Sequence, residues 1–206
     1  MARGVARALG LRYLDTGAMY RAVTWAVLDR CIDLADADAV TALAETALLD
    51  IGTDPTKPHI AIDGHDVTAA VRTAPVTAAV SAVSATPGVR VALVQRQREL
   101  IGAGGIVVEG RDIGTTVAPN ATLKIFLTAD SSARAERRGR ELAGSAPDDA
   151  TLAATEADLR RRDLADSGRA SSPLAQASDA VVIDATSLGP DDVVHRVLHL
   201  LTAVTR

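Results

Sequence analysis

Three short apolar runs in this chain lack the polar alternation of a half-exposed strand. They are residues 106–108, 123–127 and 180–183, and a briefer run stands at residues 13–14. Apolar runs of this kind are typical of strands in a parallel sheet that helices cover on both faces. The pattern therefore predicts an α/β fold with a parallel sheet flanked by helices.

Segments with the apolar spacing of helices alternate with these runs. Gly10 is expected to end a first helix over residues 1–9, and Asp38 to cap a helix over 39–48. The other predicted helices cover residues 18–30, 87–100, 150–164 and 190–204, and one runs from a capping cluster at 130–132 to about 142. Because residues 144–147 interrupt two consecutive helices, a helical hairpin that projects outward is expected there.

Residues 50–87 have a different character. They combine prolines and Gly64 with a short alternating strand at 59–62 and a helix around 74–83. This mixture predicts a small inserted module of hairpin type within the larger fold.

Composition narrows the functional classes. The chain has 206 residues, 48% of them hydrophobic, and a net charge of -4, which argues against disorder and against nucleic-acid binding by bulk electrostatics. A single cysteine, Cys31, cannot form an internal disulfide and indicates a reducing compartment. Since no apolar run approaches the length of a membrane span and no heptad pattern stands out, we expect a cytoplasmic monomer.

The segment 107–115 carries the densest chemistry. It places Glu109, Gly110, Arg111 and Asp112 at the carboxyl end of a predicted strand. In open parallel sheets, ligands bind just beyond the carboxyl ends of the strands. We therefore expect these charged side chains to face a crevice.

A second segment, residues 15–21, follows a strand and opens a helix. The free backbone N–H groups and the dipole of a helix N-terminus favour an anion, and Arg21 is near enough along the helix to reach the same crevice. The alternative is that Asp15 or Thr16 only caps the helix and that Arg21 is a solvated surface charge.

Arg162, Asp166 and Arg169 follow the spacing i, i+4, i+7, which places all three on one face of a helix. Two guanidinium groups separated by a carboxylate suit a ligand with phosphate and hydroxyl groups. The alternative is a ladder of intrahelical salt bridges. Gly168 indicates a hinge or a helix end at this point.

Together these segments resemble the cytidylate kinase family, the bacterial (d)CMP kinases among the nucleoside monophosphate kinases. The matching residues are 13–21, 69–72, 79–81, Arg90, 107–115, 124–127, 161–163, Asp166, Arg169 and 172–174. Several matches in order along nearly the whole chain are far more specific than any one of them.

The resemblance implies a P-loop nucleoside monophosphate kinase fold as one domain over residues 1–206. It implies an acceptor-binding insert at 50–87 and a helical lid at 134–165. The activity it implies is transfer of the ATP γ-phosphate to CMP or dCMP, with ATP and Mg²⁺ required and with no nucleic-acid or membrane partner. Phosphoryl transfer suits such a chain because it needs mainly positioning and positive charge.

The resemblance also assigns roles by position. Thr16, Arg21 and Arg111 are implied as ligands of the acceptor phosphate, and Ser81, Arg90 and Asp112 as readers of the cytosine edge. Arg162 and Asp166 are implied as ribose contacts. Arg169 is implied as a clamp on the transferring phosphoryl group, and Glu109 as an acid near the metal. Arg162, Arg169 and Glu109 are taken as the catalytic residues. The lid arginines are Arg134, Arg137 and Arg138, and the sequence does not indicate which of them contributes most to the activity.

One departure from the family pattern concerns the donor nucleotide. Kinases of this family bind ATP with a G-x-x-x-x-G-K-[ST] loop after a strand, and these 206 residues contain no such loop. The pattern places Met1 just after the Lys-Ser pair of that loop, so we expect residues 2–9 to be the remainder of the helix it opens, from a shortened chain. We expect weak phosphoryl transfer by this polypeptide.

Three readings stay open at this stage. The chain is an enzyme in a longer form, or it is a non-catalytic protein that binds CMP without turnover. The third reading is a kinase of the same fold that acts on a different small acceptor.

Overall fold

Helices and strands alternate along most of the chain. The computed structural model describes residues 1–143, 148–168 and 173–204, and the side chains of all of these except 141–143. The helices are α1 (Ala2–Leu9), α2 (Thr16–Asp29), α3 (Ala37–Thr46), α4 (Ala74–Ala85), α5 (Pro87–Ile101), α6 (Ser131–Ala143), α7 (Asp149–Ser167) and α8 (Pro190–Val204). The strands are β1 (Arg12–Asp15), β2 (Leu49–Ile51), β3 (Ile60–Ile62), β4 (His65–Asp66), β5 (Ile106–Glu109), β6 (Ile125–Thr128) and β7 (Val181–Asp184). A 3₁₀ turn covers Ala70–Arg72 and a π turn covers Ile113–Val117.

Parallel strand pairs confirm the predicted α/β class. β1 pairs with β5 in a register that joins Asp15 to Glu109 at the carboxyl ends. β6 pairs with β7 in the same parallel sense. Helices α1 and α8 pack together, and α1 also contacts β1 and β5. The two parallel pairs are thus flanked by helices.

The prediction that the apolar runs are covered on both faces is wrong for β6 and β7. Leu127 is 40% exposed and Val182 46% exposed, and all four residues of β5 are only partly buried. Within the described part of the chain, β5 pairs only with β1 and β6 only with β7. In these two-stranded sheets each strand has one edge without a strand partner among the described residues, which is consistent with incomplete burial.

The predicted insert contains a three-stranded antiparallel sheet in the order β2, β3, β4. Strand β3 was expected to alternate, yet Ile60, Ala61 and Ile62 are all buried because β3 is the central strand. Its apolar side chains share one core with Leu14 and Val23. The insert therefore packs directly against α2 and β1.

Helix ends agree with the sequence at several points. Gly10, with φ of 64°, ends α1 as predicted, and α7 ends at Ser167 with Gly168 as its cap. The cap of α3 is Asp36 instead of Asp38, since the Asp36 carboxylate accepts from the backbone N–H of Ala39 at 2.9 Å. Asp38 lies in the first turn, where a carboxylate still favours the helix dipole.

Helices α6 and α7 pack against each other as the predicted hairpin. The break expected at residues 144–147 lies outside the described residues. Among the described residues, no single helix is long and apolar enough to cross a membrane. The pair α4 and α5, which meet at 96°, reaches that length and apolar composition only when the two helices are taken together.

Candidate functional site

The carboxyl ends of β1 and β5 bring two acidic residues side by side. Asp15 lies opposite Glu109 in the strand register. Asp15 caps α2 by accepting from the N–H of Ala18 at 3.0 Å, and its other carboxylate oxygen lies 3.2 Å from the Arg72 guanidinium. The predicted capping role is therefore real, and Asp15 also links the core to the insert.

Glu109 is held in a largely apolar setting. Burial raises the pKa of its carboxyl group, the hydrogen bond from the Tyr13 hydroxyl lowers it, and the neighbouring Asp15 charge raises it further. Burial and the Glu109 charge also raise the pKa of Tyr13 above its ordinary value. The Arg3 guanidinium lies over the Tyr13 ring at 5.3 Å. This partly buried carboxylate lies beside Asp15 at the carboxyl end of the strand pair.

Gly110 is needed where the loop after β5 approaches α2. A Cβ at this position would lie 2.3 Å from the Thr16 hydroxyl and 2.8 Å from the Cδ1 atom of Ile113. Thr16 in turn donates to the backbone carbonyl of Glu109 at 2.8 Å. The N-terminus of α2 and the loop after β5 are thereby held in direct contact.

Arg90 and Asp112 form a buried ion pair beside this loop. Their side chains are 3% and 6% exposed, and a guanidinium nitrogen of Arg90 donates to the Asp112 carboxylate. Arg90 also donates to the carbonyl of Ser84 at 3.3 Å and lies over the Tyr20 ring at 5.3 Å. Within the described residues its Nε atom has no hydrogen-bond partner. A buried polar group of this kind is available to a ligand.

Ser81 lies one turn before Ser84 on α4. The Ser84 hydroxyl donates to the Ser81 carbonyl at 3.2 Å. The structure therefore brings two of the three predicted base readers, Arg90 and Asp112, into contact. The third, Ser81, lies on α4, and the Ser84 carbonyl near the end of that helix accepts from Arg90.

Arg21 is part of a group of converging guanidinium groups. Burial, and then the charges of Arg162, Arg138 and Arg72, lower its pKa to about 10. Arg21 also donates to the carbonyl of Val71 at 3.1 Å. A partly buried arginine that faces three other cations is typical of a site for an anion.

Arg162 belongs to the same group. Burial and the nearby charges of Arg111 and Arg138 lower its pKa, whereas Asp158 and Asp166 raise it. Arg162 therefore lies within electrostatic range of three arginines from other parts of the chain, Arg21, Arg111 and Arg138. We call this group the arginine cluster.

Carboxylates on α7 balance part of the charge of this cluster. Arg111 lies 3.4 Å from Asp163 and 3.2 Å from the buried Asp166. Helix α7 ends at Ser167, and Arg162 and Asp166 share one face of it. Arg169, the third member of the predicted set, lies outside the described residues.

The three predicted lid arginines have different surroundings. Arg134 binds Asp163 with distances of 2.5 and 3.2 Å, which holds α6 to α7. Arg137 donates to the carbonyls that follow β7, at Ala185, Thr186 and Leu188, over distances of 2.6, 3.0 and 3.2 Å. Arg138 is the member of this set in the arginine cluster.

Two residues of the site were assigned no role in the sequence prediction. Arg72 contacts Asp15 across the junction of core and insert, and Asp163 is shared between Arg111 and Arg134. Arg72 lies within a segment that resembles the family, but no spacing links it to Asp15, 57 positions away. Only the folded chain reveals that contact.

The described residues offer few candidate ligands for a metal ion. The described residues contain no group of three or more His, Cys, Asp or Glu side chains that could hold a metal ion. Asp15 and Glu109 offer a pair of neighbouring carboxylates. Mg²⁺ is commonly bound by one or two carboxylates together with phosphate oxygens, and this pair fits that pattern.

The fold and the site place the chain in the class of α/β proteins that carry charged side chains at the carboxyl ends of parallel strands, here Asp15 on β1, Glu109 on β5 and Arg111 just beyond it. Comparison with known proteins makes the assignment specific. The family model for cytidylate kinase matches residues 1–203. The chain belongs to the cytidylate kinase family.

Relatives named cytidylate kinase are similar over nearly the whole chain. The protein from Streptomyces griseus is 50% identical over 201 residues, which are 97% of this chain and 85% of the relative. The protein from Rhodococcus opacus is 52% identical over 200 residues, 96% of this chain and 86% of the relative. That from Mycobacterium avium is 49% identical over 203 residues, 98% and 88% of the two chains.

Proposed function

We propose that this protein binds CMP or dCMP in the crevice at the ends of β1 and β5, for transfer of the γ-phosphoryl group of ATP. The observation that carries the proposal is the arginine cluster, in which burial and like charge lower the pKa of Arg21 and Arg162. Cations held together in this way gain most from an added anion. Membership of the cytidylate kinase family supports a nucleotide phosphate as that anion.

In this reaction an oxygen of the acceptor phosphate attacks the γ-phosphorus of ATP. A new P–O bond forms, the bond from the γ-phosphorus to its bridging oxygen breaks, and ADP leaves with that electron pair, giving CDP or dCDP. The protein supplies positioning and positive charge. Thr16, Arg21 and Arg111 hold the acceptor phosphate, and Arg138 and Arg162 offset the negative charge on the transferring group.

When bound, Mg²⁺ neutralises donor phosphate charge, and Glu109 with Asp15 is the pair that would hold it. On the acceptor side, Asp166 holds Arg111 and faces the ribose hydroxyls. The predicted role of Arg169 as a clamp on the transferring group remains part of the proposal. Helices α6 and α7, joined by Arg134 and Asp163, act as a lid that excludes water.

The base is read by the buried pair of Arg90 and Asp112, with Ser81 on the adjoining helix. Cytosine presents an amino donor followed by two acceptors, N3 and O2, so a carboxylate that accepts from the amino group and a guanidinium that donates to both acceptors complement its edge. Adenine presents an amino donor and one acceptor, N1, but has a C–H group where cytosine has O2, so the second guanidinium hydrogen bond is lost. The arrangement therefore favours a pyrimidine acceptor over AMP.

We further propose that transfer by this polypeptide alone is slow. Its 206 residues contain no G-x-x-x-x-G-K-[ST] loop to hold the donor phosphates. The second candidate function, a protein that binds CMP without turnover, follows from the same observation.

Titration calorimetry with CMP, dCMP, UMP and AMP, followed by an assay of ADP release, tests these proposals. We expect CMP to bind at least tenfold more tightly than AMP, and Arg21→Ala to weaken CMP binding by about tenfold, or 1.4 kcal/mol. Equal affinity for AMP and CMP would contradict the acceptor assignment. The Streptomyces griseus relative is the positive control for turnover, and an equal rate from this chain would overturn the proposal of slow transfer.

A further inference from the structure

We infer that Arg98 is a positioning residue for base recognition, because it holds the turn that directs the Asp112 carboxylate. The inference rests on the proposed function of Asp112 as a reader of the acceptor base. It is carried by the backbone geometry after β5 and by the hydrogen bonds of one arginine on α5.

Asp112 opens an unusual turn. The next five residues, Ile113–Val117, form a π turn, in which the carbonyl of Asp112 accepts from the N–H groups of Thr116 at 2.9 Å and Val117 at 3.3 Å. The carbonyl of Ile113 accepts from the N–H of Ala118 at 2.8 Å. A π turn is wider and rarer than an α-helical turn and is frequent at functional sites.

The far end of this turn is held by Arg98. Its guanidinium donates to the carbonyl of Thr116 at 2.7 Å and to that of Val117 at 3.3 Å. Carbonyls at the end of a helical turn lack partners within it, and charged donors make the stronger hydrogen bonds to such groups. Arg98 therefore ties the end of the π turn to α5.

The same helix holds the beginning of the turn. Arg90, two turns earlier on α5, pairs with Asp112 itself. The turn that carries Asp112 is thus fastened to α5 at both ends, by Arg90 at the first residue and by Arg98 at the last two. If Arg98 is removed, the Arg90 pair and the backbone hydrogen bonds of the turn still hold Asp112, but the end of the turn is no longer tied to α5 and the direction of the carboxylate is less well defined.

Arg96 provides a matched control on the same helix. It is also an arginine, and its guanidinium makes a single long hydrogen bond, 3.5 Å, to the carbonyl of Glu45 on α3. Arg96→Ala therefore removes the same side chain and the same charge from α5 without touching the π turn.

Calorimetry with two ligands separates positioning from general damage. CMP carries base, sugar and phosphate, whereas ribose 5-phosphate lacks the base. For Arg98→Ala we expect about a tenfold loss of CMP affinity with less than a twofold change for ribose 5-phosphate. Arg98→Lys, which retains one charged donor, should recover part of the loss, and Arg96→Ala should match the wild type for both ligands.

Two results would overturn the inference. One is unchanged CMP affinity in Arg98→Ala, and the other is an equal loss for CMP and ribose 5-phosphate, which would mark a merely structural role. If Arg98→Ala does not fold, the comparison of Arg98→Lys with Arg96→Lys decides by the same ratio. Failure of the wild-type protein to bind CMP would reject the proposed function as well, so the two failures are distinguishable.

Discussion

Replacing Asp112 with Asn should destabilise the protein severely. The change keeps the shape of the side chain but removes its charge, which leaves the Arg90 guanidinium buried at 3% exposure without a counter-ion. Breaking a buried pair by removing one partner costs about 3–5 kcal/mol. The Ser84 carbonyl and the Tyr20 ring remain as partners of Arg90, so we expect a loss near the lower end, about 3 kcal/mol.

Chemical and thermal unfolding measure this loss. For a chain of this size a loss of about 3 kcal/mol lowers the melting temperature by roughly 6–12 °C. Glu136→Gln is the control, because Glu136 pairs on the surface of α6 with an Arg140 side chain that is 61% exposed. Exposed pairs contribute about 1 kcal/mol or less, so the control should unfold close to the wild type.

A double variant separates stability from recognition. Replacing Arg90 with Met and Asp112 with Leu removes both charges, and apolar replacement of a buried pair is commonly neutral or stabilising. We expect the double variant to regain most of the stability lost in Asp112→Asn while CMP binding stays lost. A cost below about 1 kcal/mol for Asp112→Asn would refute the reasoning, since it would mean that water reaches the Arg90 charge.

Four further substitutions test other parts of the site. Arg137→Ala should lower the free energy of unfolding by about 1–3 kcal/mol with little effect on CMP affinity, because it loses three carbonyl contacts. Arg138→Ala should instead weaken CMP binding several-fold, because it removes a cation from the arginine cluster, and unchanged CMP affinity in calorimetry would reject this division. Gly110→Ala should cost about 1–3 kcal/mol, since its Cβ would lie 2.3 Å from the Thr16 hydroxyl; an unchanged melting temperature would show that the contact relaxes freely. Glu109→Gln should raise the melting temperature at pH 7. The raised pKa of Glu109 means that the folded state binds the carboxyl proton more tightly than the unfolded state does. Ionisation of Glu109 therefore reduces the stability of the wild type as pH rises through the folded pKa. The gain should disappear at acid pH, where wild-type Glu109 is protonated in both states, and a gain that is independent of pH would contradict this reading.

Much of the fold could be predicted from short-range patterns. The helix that ends at Gly10 and the strand that ends at Glu109 follow from local chemistry, because a glycine admits a left-handed backbone and an apolar run excludes water. The cap of α3 was misplaced by two residues, since Asp36 and Asp38 both suit a helix start and only the hydrogen bond to Ala39 separates them. Burial of β6 was overestimated because exposure depends on which strands stand beside it.

The sequence predicted which residues belong to the site but not how they contact one another. Spacing and resemblance named Arg21, Arg111 and Arg162, but nothing local shows that their charges act on one another. The lid arginines could not be ranked from sequence, because Arg137 and Arg138 are neighbours whose side chains leave α6 in different directions. One contacts backbone carbonyls after β7, and the other lies in the arginine cluster.

The amino-acid sequence alone determined the α/β class, the positions of most helices and strands, and the family resemblance, because these depend on periodicity and on motifs within a few residues. Tertiary structure decided that Arg90 and Asp112, 22 positions apart, form one buried pair, and that Arg98 holds the turn after them. Such contacts join residues distant in the chain, and their energies come from burial and mutual charge. Both quantities exist only once the chain has folded.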